Sequence, residues 1–236
     1  MIIPGLVLAQ STFTFVGSKG DFAIRARDGK GAPVQGGWKF ELEGSVVINS
    51  RKDRFTLSAP KVTAIVATTS GGTASRVKSA RATGGVNVTQ TTPNSTANLQ
   101  SQTATYTAGT RTSTLQIQGS VRIQNVDTQK RETLVATGAS GTAILNPNSK
   151  RGMDSATLNG PVRVEIVQAG ASGGKAIFTG QRLTMSQNQV TLSGNVKATG
   201  SGSAQFGDLS NVDRITVDLN DKGEMSRFRF QSGGGA

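Results

Sequence analysis

A short pattern, apolar residue, any residue, Gly, any residue, Val, occurs five times in the chain: Leu42-Glu-Gly44-Ser-Val46, Ala82-Thr-Gly84-Gly-Val86, Ile117-Gln-Gly119-Ser-Val121, Leu158-Asn-Gly160-Pro-Val162 and Leu192-Ser-Gly194-Asn-Val196. Steps of 40, 35, 41 and 34 residues separate them, so two units make a super-repeat of 75 or 76 residues. A fixed period in this range means stacked supersecondary units, none of which buries its apolar face alone. Between the repeats the period is two rather than 3.6. Phe13 and Phe15, Phe22 and Ile24, Trp38 with Phe40 and Leu42, Phe55 and Leu57, Leu183 and Met185, and Ile215 with Val217 and Leu219 all alternate with polar residues. Such runs are half-buried strands, bounded here by turn residues at Gly71-Gly72, Asn146-Pro147-Asn148, Gly173-Gly174 and Asp221-Lys222-Gly223. No amphipathic helix follows Gln10, and the class is all-β.

A Gly inside a strand lets the chain bend or bulge and lets a neighbouring backbone come close. Each unit therefore reads as one long strand with a corner at Gly44, Gly84, Gly119, Gly160 or Gly194. Beyond the corner, Val46 and Ile48, Val86 and Val88, Val121 and Ile123, Val162 and Val164, and Val196 fall on the inward side of their strands. These residues are the candidate lining of an apolar, lipid-binding groove. Stacked corners predict two sheet layers meeting along a glycine-rich line: a V-shaped stack of antiparallel strands, jelly-roll-like or a folded-over β-solenoid. A Gly-kinked β-sandwich with a filled core satisfies the same pattern. Ten of the eleven aromatic residues lie at or before Phe55 or at or after Phe178, leaving Tyr106 alone between them. Rings at the ends suit caps, and Val, Ile, Leu and Ala between them suit an open lumen.

The chain has no His and no Cys. That removes Ser-His-Asp and Cys-His nucleophile pairs, ordinary zinc sites, c-type haem attachment and disulfides. Glu41 and Glu43 stand at i and i+2 and imitate a glycosidase pair, but two solvent-facing carboxylates on one strand face are the simpler reading. The expectation is no catalysis, no metal and no cofactor. A net charge of +12 attracts anions. Arg122, Arg163 and Lys197 each follow a motif Val, point away from the Val/Ile row and are candidate contacts to phosphate. Glu165, on the side of Arg163, is placed to neutralise part of that row. The cations are scattered singly, without an aromatic-interleaved tract, which argues against nucleic acid. The opening MIIPGLVLAQ is similar to the tail of a secretory signal peptide. This predicts a signal remnant or membrane-anchor remnant over residues 1–9, one repetitive β-domain over 10–231, a flexible tail over 232–236, and export to an envelope compartment.

Ahead of the Gly corners stand partner strands of Leu-x-Ala character, seen as Leu57-Ser-Ala59, Leu99 to Tyr106 and Leu134 to Ala139. Together with the corners, and with the stretch TMSQNQVTLSGNV from Thr184 to Val196, they resemble the organic-solvent-tolerance-like (OstA-like) domain of lipopolysaccharide transport proteins, the LptA and LptC type. The resemblance covers about Phe40 to Leu219. It implies a V-shaped antiparallel stack whose interior holds lipid A acyl chains. It also implies a periplasmic bridge toward the outer membrane, joined to other bridge proteins or to further copies of itself by head-to-tail edge pairing. Ala67 to Ser75 and Asp127 to Glu132 read as insertions relative to that pattern, and Ala82 stands where other units carry a larger apolar residue. The alternative class is a β-solenoid adhesin or phage-fibre-like surface-binding module.

Overall fold

The computed structural model describes residues 12–16, 22–50, 55–68, 74–91, 93–146, 148–149, 153–170, 173–186, 188–202, 209–219 and 225–232. The signal-like residues 1–9, the turns at Gly71-Gly72 and Asp221-Lys222-Gly223, Pro147 and residues 233–236 lie outside them. Fourteen strands are described: β1 (Phe13–Val16), β2 (Phe22–Ala26), β3 (Asp28–Val34), β4 (Gly37–Ser50), β5 (Phe55–Thr68), β6 (Ala74–Thr91), β7 (Ser95–Ala108), β8 (Ser113–Asp127), β9 (Glu132–Leu145), β10 (Met153–Gln168), β11 (Gly174–Ser186), β12 (Gln189–Gly202), β13 (Leu209–Leu219) and β14 (Met225–Ser232). Thr and Val are the commonest residues in them, and β-branched side chains fit a pleated, half-buried surface. Ser232 pairs with Val212 and so belongs to the last strand rather than to a tail.

All of these strands belong to one antiparallel sheet in which sequence neighbours are spatial neighbours from β4 to β14. At the N-terminal edge β2 pairs the second half of β4 and β3 its first half, so β2, Arg27 and β3 act as one strand broken at Arg27. The two layers expected from the corners are therefore two halves of the same sheet. We call the half containing Phe40 and Leu42 the first arm and the half containing Val46 and Ile48 the second arm.

Every motif Gly sits at a β-bulge. Gly44-Ser45 opposes Pro60 alone, and Gly84-Gly85 opposes Gln102; Gly119-Ser120 opposes Ala139, Gly160-Pro161 opposes Gln181, and Gly194-Asn195 opposes Asp213. Two residues against one bend a strand sharply. Because the bulges repeat on alternate strands at matching register, the bends align into a single crease. At four corners both bulge residues have positive φ, as in Gly119 (78°) with Ser120 (49°) and Gly84 (88°) with Gly85 (100°). Proline cannot adopt that conformation, so at the fourth corner Gly160 (94°) takes the left-handed turn without Pro161. This is the divergent unit. Ala82, smaller than the residue at this place in the other units, is 1% exposed and pairs with Val62 and Ala104 in the same row that holds Leu42 and Ile117.

The segment read as an insertion at Asp127 to Glu132 is the hairpin turn between β8 and β9, where the N–H groups of Gln129 and Lys130 donate to Asp127 Oδ1 at 3.0 and 2.9 Å. Ala67 and Thr68 likewise close β5, and Ala74 opens β6. On the outer face of the first arm the rows are mostly polar, Ile65 and Ile144 being exceptions. Thr142, Thr157, Thr184, Thr191 and Thr216 are direct cross-strand neighbours over five consecutive strands. The inner faces of both arms form one apolar cluster along the crease.

Candidate functional site

Strand alternation and the crease together put apolar side chains of the two arms face to face. At the crease itself Val46, Val86, Val121, Val162 and Val196 are 0–2% exposed. They alternate with small residues of the intervening strands: Ala59, Ser101, Gly138 and Gly180. Ser101 is the one buried polar side chain among the described residues, and its Oγ donates to the Thr103 carbonyl at 3.0 Å. The five motif valines thus form the closed floor of the V and offer no surface to a ligand.

Accessible apolar surface begins one row farther out. In the second arm that row runs from Ile24, Ile48 and Leu57 to Val88, Leu99 and Ile123, each paired with the next across the sheet. The first three are 0, 4 and 8% exposed, whereas Val88, Leu99 and Ile123 are half-buried; Val164, farther along, is buried again at 8%. The matching row of the first arm starts with buried Phe40, Ala64 and Ala80 and becomes half-buried from Tyr106 and Leu115 through Met185 and Val190 to Phe228. The Tyr106 hydroxyl lies 3.1 Å from Ser113 Oγ, which satisfies it at the groove margin.

Of the candidate lining residues, then, Val88 and Ile123 are accessible, and Ile48 and Val164 are buried beside the floor. Leu99, Tyr106, Leu115 and Val190 belong to the groove although they lie outside the post-glycine rows. Leu99 and Tyr106 lie in a partner-strand stretch singled out by the sequence, where the inward parity changes between Ser101 and Ala104, and Leu115 and Val190 precede Gly119 and Gly194 on the motif strands themselves. Sequence spacing shows which residues face inward, but the distance from the crease decides which of them stay uncovered.

The expected outer row is present. Arg122 pairs with Thr137, Thr137 with Arg163, Arg163 with Thr179 and Thr179 with Lys197, which sets successive cations two strands, or about 10 Å, apart. They are not equivalent. Arg163 Nη2 bonds Glu165 Oε2 at 3.1 Å, and Lys175 Nζ reaches Glu165 Oε1 at 2.8 Å. These two cations, Lys175 first, hold the Glu165 carboxyl below the usual glutamate range. Arg122 and Lys197 form no ion pair among the described residues. Arg122 instead borders a shallow outer-face depression of about 180 Å³ with Asn87, Asn98, Gln100 and Gln124. The carboxylates singled out as a glycosidase-like pair are each engaged by a lysine, Glu41 by Lys39 and Glu43 by Lys61, both at 2.6 Å. Among the described residues no group of three or more acidic side chains is placed to hold a metal ion.

Comparison with protein-family models finds no match, and searches of curated proteins and of solved structures find none either. No helix among the described residues is long and apolar enough to cross a membrane.

Proposed function

We propose that this chain is a non-catalytic lipid-binding protein that holds the acyl chains of lipopolysaccharide, or of a related acylated glycolipid, in the groove between its arms. On this reading it works in the periplasm, carrying or bridging its cargo toward the outer membrane as the OstA-like resemblance implies. The observation that supports it is a sheet creased along one line, with a buried floor and an uncharged, half-exposed aliphatic row above it. Burying an alkyl chain contributes about 0.8 kcal/mol per methylene, so such a row retains an acyl chain without specific polar contacts. Arg122 and Lys197 supply free cations for phosphate on the outer face. Edges for other bridge proteins or further copies of the chain are β1 and β3 at one end and β14 at the other.

The test is mass spectrometry of the organic extract of protein purified from its native envelope. Recovery of an acylated glycolipid supports the reading. A lipid-free extract, from protein that also fails to take up added lipid A, removes it.

The threonine ladder on the outer face of the first arm favours a second reading, a surface-binding module. Regularly spaced hydroxyls suit a hydrated polymer surface better than a lipid. Retention on a saccharide matrix that is lost when Thr157, Thr184 and Thr191 become Val, with lipid uptake absent, would select this reading instead.

A further inference from the structure

The groove differs at its two ends. A Phe-x-Phe pair occupies the outermost strand at each: Phe13 and Phe15 on β1, Phe228 and Phe230 on β14. At the N-terminal end the pair belongs to the second arm, through pairing with Ala26 and Ile24, yet its rings reach the first arm. Phe15 lies 4.7 Å from Phe40 and 6.1 Å from Phe22 between ring centroids, and Phe13 lies 5.6 Å from Phe40. Phe13 also covers Gly29 of β3 so closely that a Cβ there would fall 2.6 Å from the Phe13 ring. Rings at such separations are in contact, so the two arms meet and no alkyl-wide gap remains.

Behind this cluster the V is filled. Ile24, Leu42, Val46, Val62 and Ala64 are all 0% exposed. At the other end the two rings form a T-shaped pair 4.6 Å apart, β14 pairs with the Val212–Leu219 stretch of β13, and Phe230 remains 51% exposed.

We propose that Phe13, Phe15, Phe22 and Phe40 are a stop that ends the apolar path at the N-terminal side. Acyl chains then occupy the groove from β6 onward and do not pass beyond β5. The protein is an end-piece with one working mouth, on the β14 side, rather than a through-segment of a continuous conduit. This rests on the lipid-binding reading above and adds to it a direction and a set of residues that enforce it.

The test needs no substitution at first. The whole protein is loaded with palmitic acid carrying a diazirine in its chain, irradiated and mapped by mass spectrometry. Adducts on Val88, Leu99, Ile123 and Val190, with loss of adducts from β1 to β5, are the expected result. Adducts on Ile24, Ile48 and Leu57 as abundant as those on Ile123 overturn the stop while leaving the groove reading intact; no adduct on any inner-face residue overturns both.

The double substitution Phe15→Ala with Phe40→Ala is then expected to extend labelling to Ile48 and Leu57. An unchanged map in a variant whose circular dichroism is that of the parent shows that the cluster is not the barrier. If that variant fails to fold, Phe15→Leu alone is mapped under the same conditions, and the distribution on the unsubstituted protein still decides.

Discussion

A Cβ placed on Gly119 would stand 2.7 Å from the Cβ of Gln102 on the preceding strand. The crease depends on that close approach as well as on backbone conformation, and the two contributions are separable. Gly85, at φ 100°, has nothing within 4 Å of its virtual Cβ. Gly85→Ala is expected to cost the backbone penalty alone, about 1–2 kcal/mol. Gly119→Ala carries that penalty plus the displacement of Gln102, and is expected to lose measurably more. Urea midpoints of the two variants make the comparison, and equal losses would show that the approach of β7 to β8 has no energetic weight.

Ser120 occupies the left-handed region at φ 49° without being glycine. Ser120→Gly relieves that strain but adds freedom to the unfolded chain, so stability should stay within about 1 kcal/mol of the parent. Ser120→Pro demands a φ near −65° and should unfold the corner. At the equivalent position of the fourth corner, Pro161→Ser should lose less than about 1 kcal/mol, through the unfolded state. Tolerance of Ser120→Pro in thermal unfolding would mean that the paired positive φ angles are not required.

Val121 and Ile123 are two residues apart on one face, yet Val121 is 1% exposed and Ile123 is half-buried. Overpacking a closed core typically costs about 1–3 kcal/mol, and the indole at Val121 exceeds the methylene-scale changes behind that range. Val121→Trp should therefore destabilise the fold rather than merely obstruct it. Ile123→Trp should leave the unfolding midpoint nearly unchanged and reduce uptake of a fluorescent polyene fatty acid. The reverse order of effects would place the floor of the groove elsewhere.

Arg122 and Arg163 share a row, but only Arg163 is bonded to Glu165. Arg122→Gln should weaken binding of a phosphorylated amphiphile at low salt, and Arg163→Gln should do so less. The difference should shrink toward physiological ionic strength, where the screening length is about 8 Å. Titration by calorimetry at two salt concentrations checks this, and equal effects at low salt would reduce the row to solubility charge.

The Glu165 carboxyl titrates below its ordinary range because Lys175 and Arg163 favour its charged form. Its folded-state pKa is thus below the unfolded one. The corresponding stabilisation is present above the unfolded glutamate pKa, about 4.3, and is lost as pH falls through the folded value. Glu165→Gln resembles the protonated acid at every pH, so it should match the parent at low pH and fall below it at neutral pH, flattening the acid limb by that same amount, which is small because the pair is exposed. Urea midpoints of both proteins from neutral pH down through the carboxyl range test it, and parallel curves would show that the ion pairs do not persist in solution.

The strands, the corners and the inward face were determined by sequence alone, because each rests on local rules. Period two at Leu183 and Met185 or Ile215 and Val217 sets the pleat, and a Gly two residues before each motif Val sets the bend. Even the outer position of Arg122, Arg163 and Lys197 follows from counting along the strand. The proline at 161, which breaks the paired positive φ of the other corners, was also visible in the chain, although its effect depends on a conformation seen only in the folded sheet.

Depth belonged to the tertiary structure. Val121 and Ile123 have the same parity and similar chemistry, and only the closeness of the two arms at the crease buries one and leaves the other accessible. The same holds for charge and for the ends. Lys175 is on a different strand from Glu165 and meets it only because β10 and β11 pair in that register. Phe15 and Phe40 are separated by a turn and two strands, yet they touch because the crease folds the second arm over the first. Periodicity specifies direction within a strand, whereas the distance between two faces is set by every side chain packed between them.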